Sequence, residues 1–115
     1  MMSKTNKENC CDYLSICECA VFDDIRKWAE ERGIYAEGDP KTQALKLVEE
    51  VGETCRAILK QDEPEIIDGI GDCVVVLTNL AHLCNTSIEE CTKIAYNEIK
   101  HRKGKIDNGT FVKDD

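Results

Sequence analysis

The chain has 115 residues and a formal net charge of −8, which suits one domain and argues against a nucleic-acid binder working through a basic footprint. The same charge leaves a polyphosphate ligand open, provided that Mg²⁺ sits between the two anions. Apolar residues make up 42% but aromatics only 5%, so the core has to come from Leu, Ile, Val, Ala and Cys, a composition of packed helices.

Met1 to Asn9 is polar, and residues 1–12 are expected to form a flexible N-terminus with no apolar segment of a secretory signal. The longest strongly apolar run, Cys73 to Leu77, is too short to cross a bilayer, so the chain is expected to be cytoplasmic and free of membrane. Without a secretory signal the eight cysteines are expected to be reduced. Cys10, Cys11, Cys17 and Cys19 cluster without paired CxxC spacing, and a zinc site there is the weaker reading. Cys55, Cys73, Cys84 and Cys91 sit among apolar neighbours and read as small hydrophobes.

Residues 13–104 are expected to form an all-α domain. From about Tyr13 to Arg32, Leu14, Cys17, Val21, Ile25 and Trp28 recur at steps of three and four, a helix stopped by Gly33. Tyr35 to Gly38 reads as loop. Asp39-Pro40 is a cap followed by a first-turn proline, opening a helix to about Lys60 with an apolar stripe of Ala44, Val48, Val51, Cys55 and Ile58. Asp62 or Glu63 caps the next helix, Pro64 lies in its first turn, and its periodicity extends to about Leu83. Cys73 to Leu77 alone could be a buried strand; the periodicity around it favours helix. Ser87-Ile-Glu-Glu90 is a capping box that starts a helix ending near Lys103-Gly104. Residues 105–115 read as an extended tail anchored by Phe111 and Val112. Short connections between four helices define a bundle, and the apolar surface of the third predicts its completion by oligomerisation.

Within this frame, Glu49, Glu50 and Glu53 on the second helix and Asp68 and Asp72 on the third fall at helical spacing beside apolar residues. A three- or four-residue connection makes the two helices antiparallel neighbours and brings the acids within reach. Carboxylates beside a core need compensation, and a hard divalent cation is the simplest source. The competing reading is a solvated acidic face. Against it stand the position of Asp72 in the least polar helix and the glycines Gly52, Gly69 and Gly71 among the acids, which suggest close approach of a backbone or ligand.

Leu47-Val-Glu-Glu-Val-Gly-Glu53, followed by Ile67-Asp-Gly-Ile-Gly-Asp-Cys-Val-Val-Val-Leu77, resembles the MazG-like nucleoside triphosphate pyrophosphohydrolases, in the all-α superfamily that also holds dimeric dUTPases. Trp28 to Ile34, Ala95 to Lys105 and Gly109 to Lys113 resemble the small bacterial and phage members, in matching order. The resemblance implies hydrolysis of a nucleoside triphosphate to monophosphate and pyrophosphate with Mg²⁺, or Mn²⁺ in its place, and the apolar third helix points to a homodimer or homotetramer. It implies Glu50, Glu53 and Asp72 as metal ligands and Glu49 or Glu53 as the group that takes a proton from water. The family carries a carboxylate three residues before Asp72, where this chain has Gly69; Asp68 is the expected substitute. Asn97 matches a family asparagine, and Lys100, Arg102, Lys103 and Lys105 are candidate phosphate contacts, although a basic run also suits a helix C-terminus. Trp28 is a candidate base-stacking surface, although an aromatic at helical spacing is more often simply core. The alternative outside enzymology is a non-catalytic helical module that binds a nucleotide, a metal or a partner.

Overall fold

The computed structural model describes residues 20–114. Helix α1 runs Val21–Glu31, α2 Ile34–Glu37, α3 Pro40–Lys60, α4 Glu63–Leu83 and α5 Ile88–Ile99, followed by strands β1 Gly104–Asp107 and β2 Thr110–Lys113. The expected all-α architecture is found. Met1 to Cys19, including the first turns expected of the opening helix and the four clustered cysteines, lies outside the described residues.

Local chemistry sets the boundaries of the two long helices. Asp39 Oδ1 accepts from the Thr42 amide at 2.8 Å, with Pro40 behind it in the first turn. Gln61 leaves α3 in the left-handed region at φ 58°, and Asp62 Oδ1 accepts from the Glu65 amide to start α4. Only Gln61 and Asp62 separate the two helices, so they return antiparallel and pack along their length. Ser87 Oγ accepts from the Glu90 amide and opens α5. Arg26 on α1 donates to both carboxylate oxygens of Glu89, at 2.9 and 2.7 Å, and ties α1 to α5.

Helix α4 is central: α1, α2, α3 and α5 all pack on it. By length and composition it would also suffice to cross a membrane. Its buried residues include Val76, Thr78, Asn79 and Ala81, and Ala29 and Ala57 from α1 and α3 meet the same core.

Two expectations are corrected. The segment after Gly33 is not loop throughout but the one-turn helix α2. It is held to α4 by Tyr35, whose hydroxyl donates to Asn79 Oδ1 at 2.7 Å and whose ring stacks on His82 at 3.8 Å. The last helix ends at Ile99, because the chain beyond it forms a hairpin in place of the extended tail. Asn108 and Gly109 both take positive φ, 53° and 79°, as a two-residue turn joining twisted strands requires.

The packing of α3 is a separate finding. Its apolar stripe does not meet α4. Leu45, Val48 and Leu59 are 73%, 69% and 83% exposed, and Val51, Cys55 and Ile58 also face outward. The face turned to α4 carries Glu50, Thr54 and Ala57, and the short side chains of Thr54 and Ala57 let the two backbones close up. Cys84 and Cys91 are likewise exposed; Cys73 alone of the four is partly buried, 3.6 Å from Thr54 Oγ1.

Candidate metal and substrate site

The side of α3 adjoining α4 carries Glu50, Glu53, Arg56 and Lys60 at steps of three and four. The opposing side of α4 carries Glu65, Asp68 and Asp72 at the same steps. Antiparallel packing turns these two rows into the walls of a cleft of about 360 Å³, with Gly69 in its lining. All four expected metal ligands, Glu50, Glu53, Asp68 and Asp72, thus come together. A second cavity of about 300 Å³ adjoins it: Trp28, Ile34, Gln43, Lys46, Val75 and Asn79 contribute to its lining, and Glu50 and Asp72 are shared by both.

Glu50 is only 9% exposed, and Lys46 Nζ lies 3.3 Å from its carboxylate. The same ammonium contacts Glu49 at 2.8 Å, and this hydrogen bond holds the Glu49 carboxyl below the usual range and the Lys46 amine above it. Glu49 lies outside the cleft lining. Burial pushes the Asp72 carboxyl up, and the negative charges of Asp68 and Glu50 push it in the same direction.

At Gly69 the two helices are in close contact. A Cβ built there would lie 2.5 Å from Thr54 Oγ1, 3.2 Å from Thr54 Cβ and 3.3 Å from Thr54 Cα. A side chain at the position where the family pattern places a carboxylate would force Thr54 to shift. Asp68 lines the cleft instead.

The donor set suits a hard cation. Carboxylate oxygens of Glu49, Glu50 and Glu53 lie within 4.8 Å of one another. Oxygens sharing one Mg²⁺ at about 2.0–2.1 Å are at most ~4.2 Å apart, so the α3 carboxylates are already grouped closely enough to share an ion, while Asp68 and Asp72 face them from the other wall of the cleft. Glu50, Glu53, Asp68 and Asp72 would hold the ion between the helices.

Trp28 sits in the wall of the second cavity, with the Arg32 guanidinium 5.0 Å from its ring centroid. Asn97, Lys100 and Lys103 line neither cavity; they lie exposed at the end of α5 and the approach to β1. Three lining residues escape a reading based on the acidic motifs: Arg56, Lys60 and Glu65. Their signal is the continuation of the Glu53 and Asp68 rows at three- and four-residue steps.

Asp72 gives a direct test of the electrostatics. A carboxyl whose folded pKa is raised lets the folded state hold more protons than the unfolded one. Its destabilising effect is therefore absent below the unfolded pKa and develops as pH rises through the folded value. Without metal at pH 7, Asp72→Asn is expected to melt a few degrees above wild type, the gap narrowing as pH is lowered. Saturating Mg²⁺ should reverse the order, since only wild type keeps the full ligand set. Thermal melts at two pH values would show it; an Asp72→Asn protein less stable than wild type at pH 7 in chelator would contradict it.

A helical domain with two central antiparallel helices facing across a carboxylate-lined cleft is a class suited to holding a cation against a phosphorylated ligand. Residues 39–106 match the family model of the MazG nucleotide pyrophosphohydrolase domain, and the chain belongs to that family. It is also similar to an uncharacterised 18.2 kDa protein of the rep-hol intergenic region of Haemophilus phage HP1 (strain HP1c1), 43% identical over 61 residues. That match covers 53% of this chain and 37% of the phage protein. No solved structure matches.

Proposed function

We propose that the protein hydrolyses a nucleoside or deoxynucleoside triphosphate to the monophosphate and pyrophosphate, with Mg²⁺ as cofactor and Mn²⁺ able to replace it. The observation that carries this reading is the convergence of Glu50, Glu53, Asp68 and Asp72 on one cleft that opens beside the Trp28 cavity. A bound divalent ion supplies charge neutralisation and polarisation at the phosphate oxygens. The four carboxylates would hold it, and Glu50 and Asp72, which line both cavities, support a position near their junction.

The base enters the second cavity and meets the Trp28 face that Arg32 does not cover. Glu53 takes the proton from the attacking water as the α–β phosphoanhydride breaks and pyrophosphate leaves. Glu49 is the poorer base, since Lys46 already engages its carboxylate. The exposed apolar face of α3 suits burial in a homodimer or homotetramer. Asn97, Lys100 and Lys103 would then contact substrate phosphates across the assembly. Clearing unwanted nucleotides from the cytoplasmic pool is the corresponding role, with neither nucleic acid nor membrane as partner.

The test is pyrophosphate release from a panel of NTPs and dNTPs with Mg²⁺, with and without chelator. Release confined to the metal-containing reactions is expected. No release from any nucleotide would favour the non-catalytic module instead.

A further inference from the structure

The cleft contains two cations that the metal site does not require. Arg56 and Lys60 stand one and two turns beyond Glu53 on α3, and both line the cleft. Acids Glu53, Glu65 and Asp68 line it too, yet among the described residues neither cation forms an ion pair or a hydrogen bond. Elsewhere the chain does pair such groups: Arg26 with Asp23 and Glu89, Lys46 with Glu49 and Glu50. The Arg56 guanidinium lies back along its helix, such that a Cβ at Gly52 would sit 3.9 Å from Nη1. Its donors are uncommitted.

Position along the cleft gives these cations a meaning. Glu50 and Asp72 mark the end shared with the Trp28 cavity, while Lys60 lies about 15 Å further along α3 at 1.5 Å per residue. A ligand with its nucleoside beside Trp28 and its phosphates at the carboxylate-held ion must direct its terminal phosphates toward Arg56 and Lys60. Five carboxylates line the cleft against two cations, so the protein alone repels an anion there. The cations therefore act by selecting which end of the ligand points where. Arginine suits this because its planar fork can take two phosphate oxygens at once, and lysine adds a mobile point charge.

We infer that Arg56 and Lys60 bind the pyrophosphate end of the substrate and retain inorganic pyrophosphate after cleavage. This rests on the proposed hydrolysis, and the two separate experimentally. Binding of inorganic pyrophosphate in Mg²⁺ is measured by calorimetry on the full chain for wild type, Arg56→Gln, Lys60→Gln and the double variant. Hydrolysis is measured in parallel. Both side chains are exposed, so the variants should fold, and circular dichroism checks it.

The double variant is expected to bind pyrophosphate at least tenfold more weakly and to show a higher KM for triphosphate. Its affinity for Mg²⁺ alone should be unchanged or tighter, because two positive charges have left an acidic cleft. Arg56→Lys should restore part of the loss. Cations that merely neutralise the carboxylates would leave pyrophosphate binding within twofold of wild type, and that result overturns the inference even if hydrolysis is robust. Pyrophosphate binding that depends on both cations, with no hydrolysis of any triphosphate by wild type, would support the inference and overturn the hydrolase reading. Absence of pyrophosphate binding by wild type would overturn the inference directly.

Discussion

Glu53→Gln is expected to lower turnover by about 10²- to 10⁴-fold, the range associated with loss of a positioned general base. Glu53 is exposed in the cleft wall, and its carboxylate belongs to the Glu49, Glu50 and Glu53 cluster, within 4.8 Å of the other two. The amide keeps the shape and removes both the charge and the proton-accepting oxygen, so the fold should survive. Two readouts separate the functions of the lost group. Mg²⁺ at 100 times its Kd should stabilise wild type by about 2.7 kcal/mol, and the variant should show a smaller metal-induced rise in melting temperature. At saturating Mg²⁺ the deficit should persist in kcat, because added metal does not replace a base. Glu49→Gln should be milder, since Glu49 is outside the cleft lining and engaged by Lys46. Turnover by Glu53→Gln close to that of wild type would remove Glu53 from the chemistry. A larger loss in Glu49→Gln would exchange the two roles.

The carboxylate motifs and helix boundaries were readable because they are local. Asp39-Pro40, Asp62 before Glu63-Pro64, and Ser87 with Glu90 each set a helix start through one side chain and its own backbone, and the structure has all three. The turn at Asn108-Gly109 was equally local and marks a hairpin, but Lys103-Gly104 offered a competing helix stop. In the structure a Cβ at Gly104 would run into the Val112 carbonyl and the Phe111 ring of that hairpin. What faces what was less readable. The apolar stripe of α3 is plain in the sequence, but the chain packs α4 against Glu50, Thr54 and Ala57. Periodicity identifies an apolar face without specifying what covers it. Here a short connection and small contact residues set the pairing of α3 and α4, and the larger apolar side chains are left outward. The same geometry accounts for Arg56, Lys60 and Glu65: they join the site only because the two helices run alongside each other past Gly69.

That contact supports the second large prediction. Gly69→Ala puts a Cβ into Thr54, and two opposing terms decide its sign. Replacing glycine by alanine inside a helix gains about 1 kcal/mol of propensity. Overpacking a close contact costs about 1–3 kcal/mol. The nearest atoms decide between them. Thr54 Oγ1 cannot rotate away freely, because it donates to the Glu50 carbonyl at 2.8 Å, and Thr54 Cβ and Cα stay close whatever the hydroxyl does. The overpacking term should win, with a net loss for alanine and a larger one for Gly69→Glu. Restoring the family's carboxylate should therefore not restore a ligand. It should force α3 from α4, pull Glu50 and Glu53 away from Asp68 and Asp72, and reduce activity more than the remaining stability would suggest, since ångström-scale misplacement can cost about 10²-fold in rate. Thr54→Gly in the Gly69→Ala background should recover part of the activity by removing the opposing Cβ, even though a second helix glycine weakens α3. A Gly69→Ala protein as stable as wild type would show that the contact has slack. Tighter Mg²⁺ binding by Gly69→Glu would show that position 69 can supply a ligand, and that Asp68 had not taken its place.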